Sequence, residues 1–248
     1  MTTTIKAVAK NLVNLVYPLR CASCGQDLEA MDTRGVCGFC LDRIRLNPRP
    51  FCIRCGRAVE KTASLCEECR KMRPHFDSAF SAYLYEGPMK DLIHKFKYNR
   101  KIALSRLLSN MLSRFVEDDC EVLSGIDMLT FVPMDSKGLR ERGFNQSRIL
   151  AEYISKRFTI PVANTLEKRL GTRRQNELSR SDRLENLNRA FSARIGIDLT
   201  GISILLIDDV MTTGATLNEC ALTLKNSGAA QVRCLTLARP AHSYEDNR

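Results

Sequence analysis

Four Cys-x-x-Cys pairs, Cys21/Cys24, Cys37/Cys40, Cys52/Cys55 and Cys66/Cys69, fall within the first 70 residues of this 248-residue chain and constrain its folding more than any other feature. They form a repeat. Cys24 is followed by Gly25 and leads after twelve residues to Cys37, and Cys55 is followed by Gly56 and leads after ten to Cys66. A glycine at that place permits the positive φ of a tight turn that folds backbone amides toward sulfur. The second pair of each unit lacks the glycine and can open a short helix. Disulfides would suit a secreted chain. The opening segment MTTTIKAVAKNLVNLVYPLR, however, has neither the apolar core of a signal peptide nor a small-residue cleavage site. No run approaches the roughly 20 apolar residues of an integral membrane segment. A cytoplasmic, reducing location is expected, with the eight cysteines as metal ligands.

Four thiolates around a tetrahedral ion make a structural zinc site with no open position. Two zinc ions are expected. Sequential pairing would give Cys21, Cys24, Cys37 and Cys40 one ion and Cys52, Cys55, Cys66 and Cys69 the other. Cross-braced pairing, first pair with third and second with fourth, is the alternative. A module this small cannot hold together on burial alone, so metal should supply much of its folding free energy. Cys120, Cys220 and Cys234 are scattered in ordinary sequence and read as plain small residues. The amphipathic opening, Ile5 to Val16, is expected to bury against the zinc module, which is taken as residues 1–74.

Past Pro74 the pattern changes. Ala79 to Tyr85 reads as a strand, and Gly87-Pro88 is a break. Met89 to Tyr98 and Ala103 to Val116 carry apolar residues at helical spacing. Met128 to Val132, Ile160 to Ala163, Ile202 to Ile207 and Val232 to Leu237 read as short buried strands. Asn145 to Phe158 and Ala215 to Ser227 read as helices, the second stopped by Gly228. Strands separated by helices predict an α/β domain over 75–248, a parallel sheet with flanking helices and right-handed crossovers. Its ligand should lie at the carboxyl ends of the strands.

One strand exit is unusually informative. The apolar run Ile204-Leu205-Leu206-Ile207 delivers Asp208 and Asp209, then Val210, Met211, Thr212, Thr213, Gly214, Ala215 and Thr216 lead into a helix. Amides and hydroxyls at a helix amino terminus make an anion site, so Thr212 to Thr216 suits a phosphate monoester. Asp208 and Asp209 would accept hydrogen bonds from ribose hydroxyls or hold magnesium through water. Neither a Gly-x-x-x-x-Gly-Lys-Ser/Thr loop nor a Gly-x-Gly-x-x-Gly turn is present.

This stretch resembles the phosphoribosyl pyrophosphate motif of type I phosphoribosyltransferases: four hydrophobics, two acids, a variable pair, then Thr-Thr-Gly-x-Thr. The resemblance implies a type I phosphoribosyltransferase-like parallel sheet with flanking helices, preceded by the small cysteine-rich double zinc-binding module. It places Asp208 and Asp209 at the ribose, and Thr212, Thr213, Gly214 and Thr216 at the 5-phosphate. In such proteins a loop after an earlier strand contacts pyrophosphate. The basic loop Asp135 to Gln146 follows Phe131-Val132-Pro133-Met134 here, with Lys137, Arg140 and Arg142 chemically suited to that contact. If the chain catalyses, the implied chemistry is displacement of pyrophosphate at the anomeric carbon. Magnesium would bridge ribose and pyrophosphate oxygens, and these cations would stabilise the departing charge.

The wording Arg142-Gly143-Phe144-Asn145-Gln146, the four cysteine pairs, the Tyr-Glu-Gly-Pro and Lys-Tyr-Asn-Arg segments and the closing Leu-Ala-Arg-Pro are similar to the ComF/GntX family, over roughly residues 15–240. Met134-Asp135 departs from it, standing where another hydrophobic and a second proline are expected. That family is associated with natural competence, in which imported single-stranded DNA reaches the cytoplasm, and with DNA utilisation. The resemblance implies single-stranded DNA and DNA-import and recombination proteins as partners. A nucleotide-salvage phosphoribosyltransferase acting on a nucleobase is the competing reading, although no base-selecting hood is legible between Ala163 and Gly201.

Formal net charge is +10, which favours anionic partners. Eight thiolates holding two zinc ions would lower it to +6. Two basic stretches stand out: Lys168, Arg169, Arg173, Arg174, Arg180, Arg183, Arg189 and Arg194, with the single aromatic Phe191; and Lys90, Lys95, Lys97, Arg100, Lys101 and Arg106, interleaved with Phe96 and Tyr98. Charges beside rings suit a single strand of nucleic acid. The first stretch otherwise reads as a mobile loop and a solvated helix, the second as a helix with lysines on its wet face and Phe96 in the core. His75, His94 and His242 have no catalytic context.

Overall fold

The computed structural model describes residues 19–28, 35–60, 63–98, 103–169 and 190–241. The amphipathic opening Ile5 to Val16, most of the 168–194 basic stretch, Arg100, Lys101 and His242 lie outside them.

Two cysteine-rich units come first. In each, the leading pair sits in a turn whose following glycine has positive φ, Gly25 at +79° and Gly56 at +69°. The second pair opens a short helix: Cys37 caps α1, Gly38–Asp42, and Cys66 caps α2, Glu67–Lys71. The elements that follow are β1 (Ser78–Leu84), α3 (Gly87–Tyr98), α4 (Ala103–Asp118), β2 (Met128–Phe131), α5 (Ser136–Arg142), α6 (Gln146–Phe158), β3 (Leu166–Lys168), β4 (Phe191–Ala193), β5 (Ser203–Val210), α7 (Ala215–Asn226) and β6 (Gln231–Arg239).

The main sheet has the order β1-β6-β5-β2 with all neighbours parallel. Its central strands are mostly apolar because both faces are covered: β5 carries the run Ile204 to Ile207, and Val232 to Ala238 of β6 is broken only by Arg233 and Thr236. Along β5 the two-residue period sends Leu205 and Ile207 to one face and Ile204 and Leu206 to the other. The first face receives Leu92 and Phe96 of α3, Leu108 and Leu112 of α4, and Leu150 and Ile154 of α6. The second receives Leu217, Cys220 and Leu224 of α7.

The cysteine units are built into these same cores. Cys21, Val36 and Cys40 belong to the first, and Cys52, Cys55, Cys66 and Cys69 to the second. The connection between the units passes along the sheet edge. Leu46 bridges Tyr83 antiparallel, Asn47 N donates to Ala82 O at 3.0 Å, and Leu84 N donates to Arg45 O at 2.9 Å. One unit therefore packs on each face of the sheet, with β1 between them.

Three local expectations are corrected. Ile160 to Ala163 is not a strand but a single parallel bridge between Val162 and Leu129. Pro161 offers its carbonyl to Leu129 N at 2.8 Å, yet has no N–H to donate to a ladder. The basic loop after β2 contains a helix, α5, which Asp135 caps by accepting from Gly138 N at 2.7 Å; Gly143 ends it at φ +83°. The two ends of the 168–194 stretch, read as loop and solvated helix, pair as the antiparallel ribbon β3–β4, with Phe191 buried.

Candidate functional site

Asp208 and Asp209 end β5, and Met211 to Gly214 form the turn into α7. Gly214 caps that helix at φ +81°, and Thr213 Oγ1 accepts from Ala215 N at 3.3 Å. Met211 N donates to Ala238 O at 3.0 Å, so neighbouring β6 holds the start of the turn. A small hollow of about 30 Å³ is lined by Asp208 and by Val210 to Leu217. Thr212 and Thr213 are exposed at its mouth and Gly214 is buried beneath. A Cβ on Gly214 would stand 2.7 Å from Met211 Cε as well as requiring a left-handed backbone. The predicted residues Val210, Met211, Thr212, Thr213, Gly214, Ala215 and Thr216 are thus gathered in one concavity, with α7 amides directed toward it.

A second cavity, of about 220 Å³, lies beside the first and shares Asp208 with it. Lys97, Asp135, Arg142, Gln146, Ser147, Lys168, Asp208 and Asp209 contribute to its wall. Arg142 therefore joins the acidic pair, as expected from sequence. Lys137 and Arg140 are exposed on α5 and do not line the cavity. A helix of seven residues turns successive side chains by about 100°, so three basic residues close in sequence cannot all face one wall.

Lys97, Ser147 and Lys168 are the residues that motif reading missed at this site. Lys97 Nζ lies 2.9 Å from Asp209 Oδ1, both side chains largely buried. The sequence reading assigns Lys97 to a wet helix face. It instead borders the apolar stripe Met89, Leu92, Ile93 and Phe96, whose Phe96 ring stacks on Phe144 at 5.5 Å. The i, i+3, i+4, i+7 spacing of that stripe was the one available signal that Lys97 stands at its margin. Ser147 Oγ donates to Asp208 Oδ1 at 2.7 Å, and Asp209 N donates to the same oxygen at 2.9 Å. Lys168 Nζ donates to Asp135 Oδ2 at 3.1 Å.

Electrostatics divides these carboxylates. Burial, then the charge of Asp209, pushes the Asp208 pKa up to about 7, against the hydrogen bonds from Ser147 and Asp209 N and the charge of Lys97. Burial would depress Lys97, but Asp209 and Asp208 outweigh it and hold its pKa above the ordinary lysine value. Asp135 is held low, first by the Gly138 amide and then by Lys168. The arrangement suits a ligand that carries its own negative charge and a hydroxyl-bearing ring: cations and amides on the flanks, hydrogen-bond acceptors at the centre. A larger groove of about 900 Å³, lined by Leu41, Tyr83, Leu107, Met111 and Tyr153 among others, lies apart; it contains none of the predicted phosphoribosyl-site residues, although Arg106 of the second basic stretch lines it.

The cysteine clusters answer the pairing question. Cys21, Cys24, Cys37 and Cys40 bring their sulfurs within 4.8 Å of one another, as do Cys52, Cys55, Cys66 and Cys69. Pairing is sequential. Cys21 Sγ accepts from Ser23 N and Cys37 N, both at 3.4 Å, as expected for thiolates wrapped by turns. Four sulfurs, with no further His, Asp or Glu in the cluster among the described residues, fit a tetrahedral zinc ion closed to substrate. No helix among the described residues is long and apolar enough to cross a membrane.

Comparison with known proteins is consistent with both halves. Residues 12–70 match the double zinc ribbon domain family and residues 145–248 the phosphoribosyl transferase domain family. The two clusters are accordingly the four-cysteine zinc sites of a double zinc ribbon. Competence protein F of Haemophilus influenzae is 31% identical over 227 residues, covering 90% of this chain and 98% of that protein. DNA utilization protein YhgH of Escherichia coli is 29% identical over 234 residues, covering 91% and 99%. The glutamine phosphoribosylpyrophosphate amidotransferase of Bacillus subtilis, solved with ADP and GMP, is 21% identical over 58% of this chain and 26% of its own, with a TM-score of 0.36.

Proposed function

The chain belongs to the ComF/GntX family, that of competence protein F, and from this premise we propose that it binds phosphoribosyl pyrophosphate with magnesium and handles imported single-stranded DNA in natural transformation. One observation carries the ligand reading. The Asp208-Asp209 exit of β5 separates a small hollow bounded by the Thr212–Thr216 turn from a larger cavity that Lys97, Arg142 and Lys168 help to line. A phosphate monoester suits the hollow, ribose hydroxyls suit the carboxylates, and a diphosphate suits the cationic cavity. Magnesium would be held through Asp208 or Asp209 and would neutralise part of the diphosphate charge.

The single-stranded DNA part rests on the names of the relatives and on exposed basic residues. Lys90 and Arg106, together with Arg169 and Arg194, are exposed. Lys97, engaged by Asp209, is withdrawn from that set. The site residues stay as proposed from the motif: Asp208 and Asp209 at the ribose, Val210 to Thr216 at the 5-phosphate, and Arg142 at the pyrophosphate. Lys137 and Arg140 lie on the outer face of α5, where they could meet a longer anion.

Calorimetry with phosphoribosyl pyrophosphate and magnesium, wild type against Asp208→Asn and Asp209→Asn, tests the ligand. Binding by the wild type, lost in both variants, is expected; no heat from the wild type removes the reading. Release of pyrophosphate on adding a nucleobase would make the chain an active transferase of salvage type. Fluorescence anisotropy with a labelled oligonucleotide tests the DNA part, since phosphate contacts must weaken steeply with salt.

A further inference from the structure

Among the described residues, a buried arginine stands at the second zinc site and none at the first. Arg239, the last residue of β6, is 2% exposed, and its Nη1 donates to Cys55 O at 2.5 Å. Its Nε has no hydrogen-bond partner, and among the described residues it forms no ion pair with a carboxylate. A buried guanidinium without a counter-charge is costly. Its one hydrogen bond among the described residues falls on the backbone of Cys55, a ligand of the second cluster. Arg57, two residues past Cys55, has its own buried and unpartnered Nε, although its outer nitrogens donate bidentately to Glu68 at 2.7 and 2.5 Å.

Zinc with four thiolates carries a net charge of about −2. Around Cys52, Cys55, Cys66 and Cys69, all buried, that charge cannot be left to water. We propose that Arg239, assisted by Arg57, is the counter-ion of the second zinc centre. The metal and the arginine each remove the cost of burying the other. The first centre is arranged differently. Cys24 is exposed and Cys37 half-buried, and Cys21 Sγ accepts from the amides of Ser23 and Cys37. Water can solvate that charge, and a chelator can reach that metal. The two zinc ions are therefore inequivalent, the first labile and the second locked.

The pairing has a mechanical consequence for the other end of the molecule. Arg239 follows Ala238, whose carbonyl holds Met211 N at the start of the Thr212–Thr216 turn. Arg239 O itself accepts from Tyr85 N at 2.6 Å. Anchoring the guanidinium on the second zinc centre thus pins the strand end from which that turn is hung.

Zinc release to a chromogenic chelator from the intact protein tests this. Wild type should lose one equivalent quickly and one slowly. Arg239→Gln should speed the slow phase by at least about tenfold and leave the fast phase alone. Arg239→Lys should restore much of the slow phase, since it keeps the charge. In zinc-loaded Arg239→Gln, hydrogen exchange over 211–216 should rise while that of α4 stays protected. Should Arg239→Gln fail to fold, Arg57→Gln serves in its place, with a smaller acceleration of the same phase. Two zinc ions leaving wild type at one rate, or a slow phase unchanged in Arg239→Gln or in its substitute, would overturn the proposal.

Discussion

Lys97 Nζ and Asp209 Oδ1 stand 2.9 Å apart, joining the end of α3 to the end of β5 across 112 residues of sequence. Their side chains are 20% and 9% exposed, so neither charge is free to be solvated if the other is removed. Truncating one partner of such a pair costs about 3 kcal/mol, because a buried charge is left uncompensated. Lys97→Met should lose about that much in urea unfolding. The double variant Lys97→Met with Asp209→Asn should lose clearly less than the sum of the two singles. Additive losses would mean that the contact carries no coupling.

The pH dependence of stability should carry the mark of Asp208. Its pKa is raised from an ordinary 3.8 to about 7, first by burial and then by Asp209. The folded chain therefore keeps a proton that the unfolded chain has lost between those values. The resulting stability is complete below about 4 and disappears as pH rises through about 7. Subtracting the unfolding profile of Asp208→Asn from that of wild type should isolate this fall. Because Lys97 works to lower Asp208, Lys97→Met should shift the fall to higher pH.

Two glycines after the leading cysteine pairs offer a matched comparison. Both have positive φ, but a Cβ on Gly56 would stand 2.5 Å from Ala79 O, whereas Gly25 has nothing within 4 Å. Gly25→Ala should cost about 1 kcal/mol of backbone strain. Gly56→Ala should cost at least about 2 kcal/mol more, since the carbonyl it meets belongs to β1 and cannot swing aside. Thermal unfolding of the two variants at equal zinc content measures the difference.

Zinc removal should reach beyond the ribbons. The second cysteine cluster shares its core with Ile204, Leu206 and Leu224, so stripping that ion uncovers one face of the sheet. Protein purified without added zinc should contain two equivalents. Complete chelation should release hydrogen-exchange protection in residues 35–60 and in β1, well before α6 is affected. Unchanged exchange in the ribbons after verified metal loss would rule out a structural role for zinc.

What was legible in the sequence is what is local in the chain. The cysteine pairs with their glycine turns lie close together in sequence, so spacing alone placed Gly25 and Gly56 at positive φ and Cys37 and Cys66 at helix starts. Likewise β5, its two aspartates, the Thr212–Thr216 turn and α7 are consecutive, and their geometry follows from strand, turn and helix grammar. The Asp135 cap on α5 is equally local, but a segment so rich in basic residues has the composition of a loop.

Contacts across the chain were not legible, because a helix or strand does not announce which neighbour its borderline residues will meet. Lys97 looked like any lysine beside an apolar stripe until α3 packed on the sheet and turned it toward Asp209. Ser147 became a partner of Asp208 in the same way, and Arg239 looked like a polar strand end until the second ribbon closed over it. Residue types and short spacings therefore determined the eight zinc ligands and the phosphate-suited turn, while the fold decided that the cysteine pairs join sequentially. Tertiary packing alone decided which cations are buried against which anions, since that choice depends on solvent exclusion, which no stretch of sequence possesses by itself.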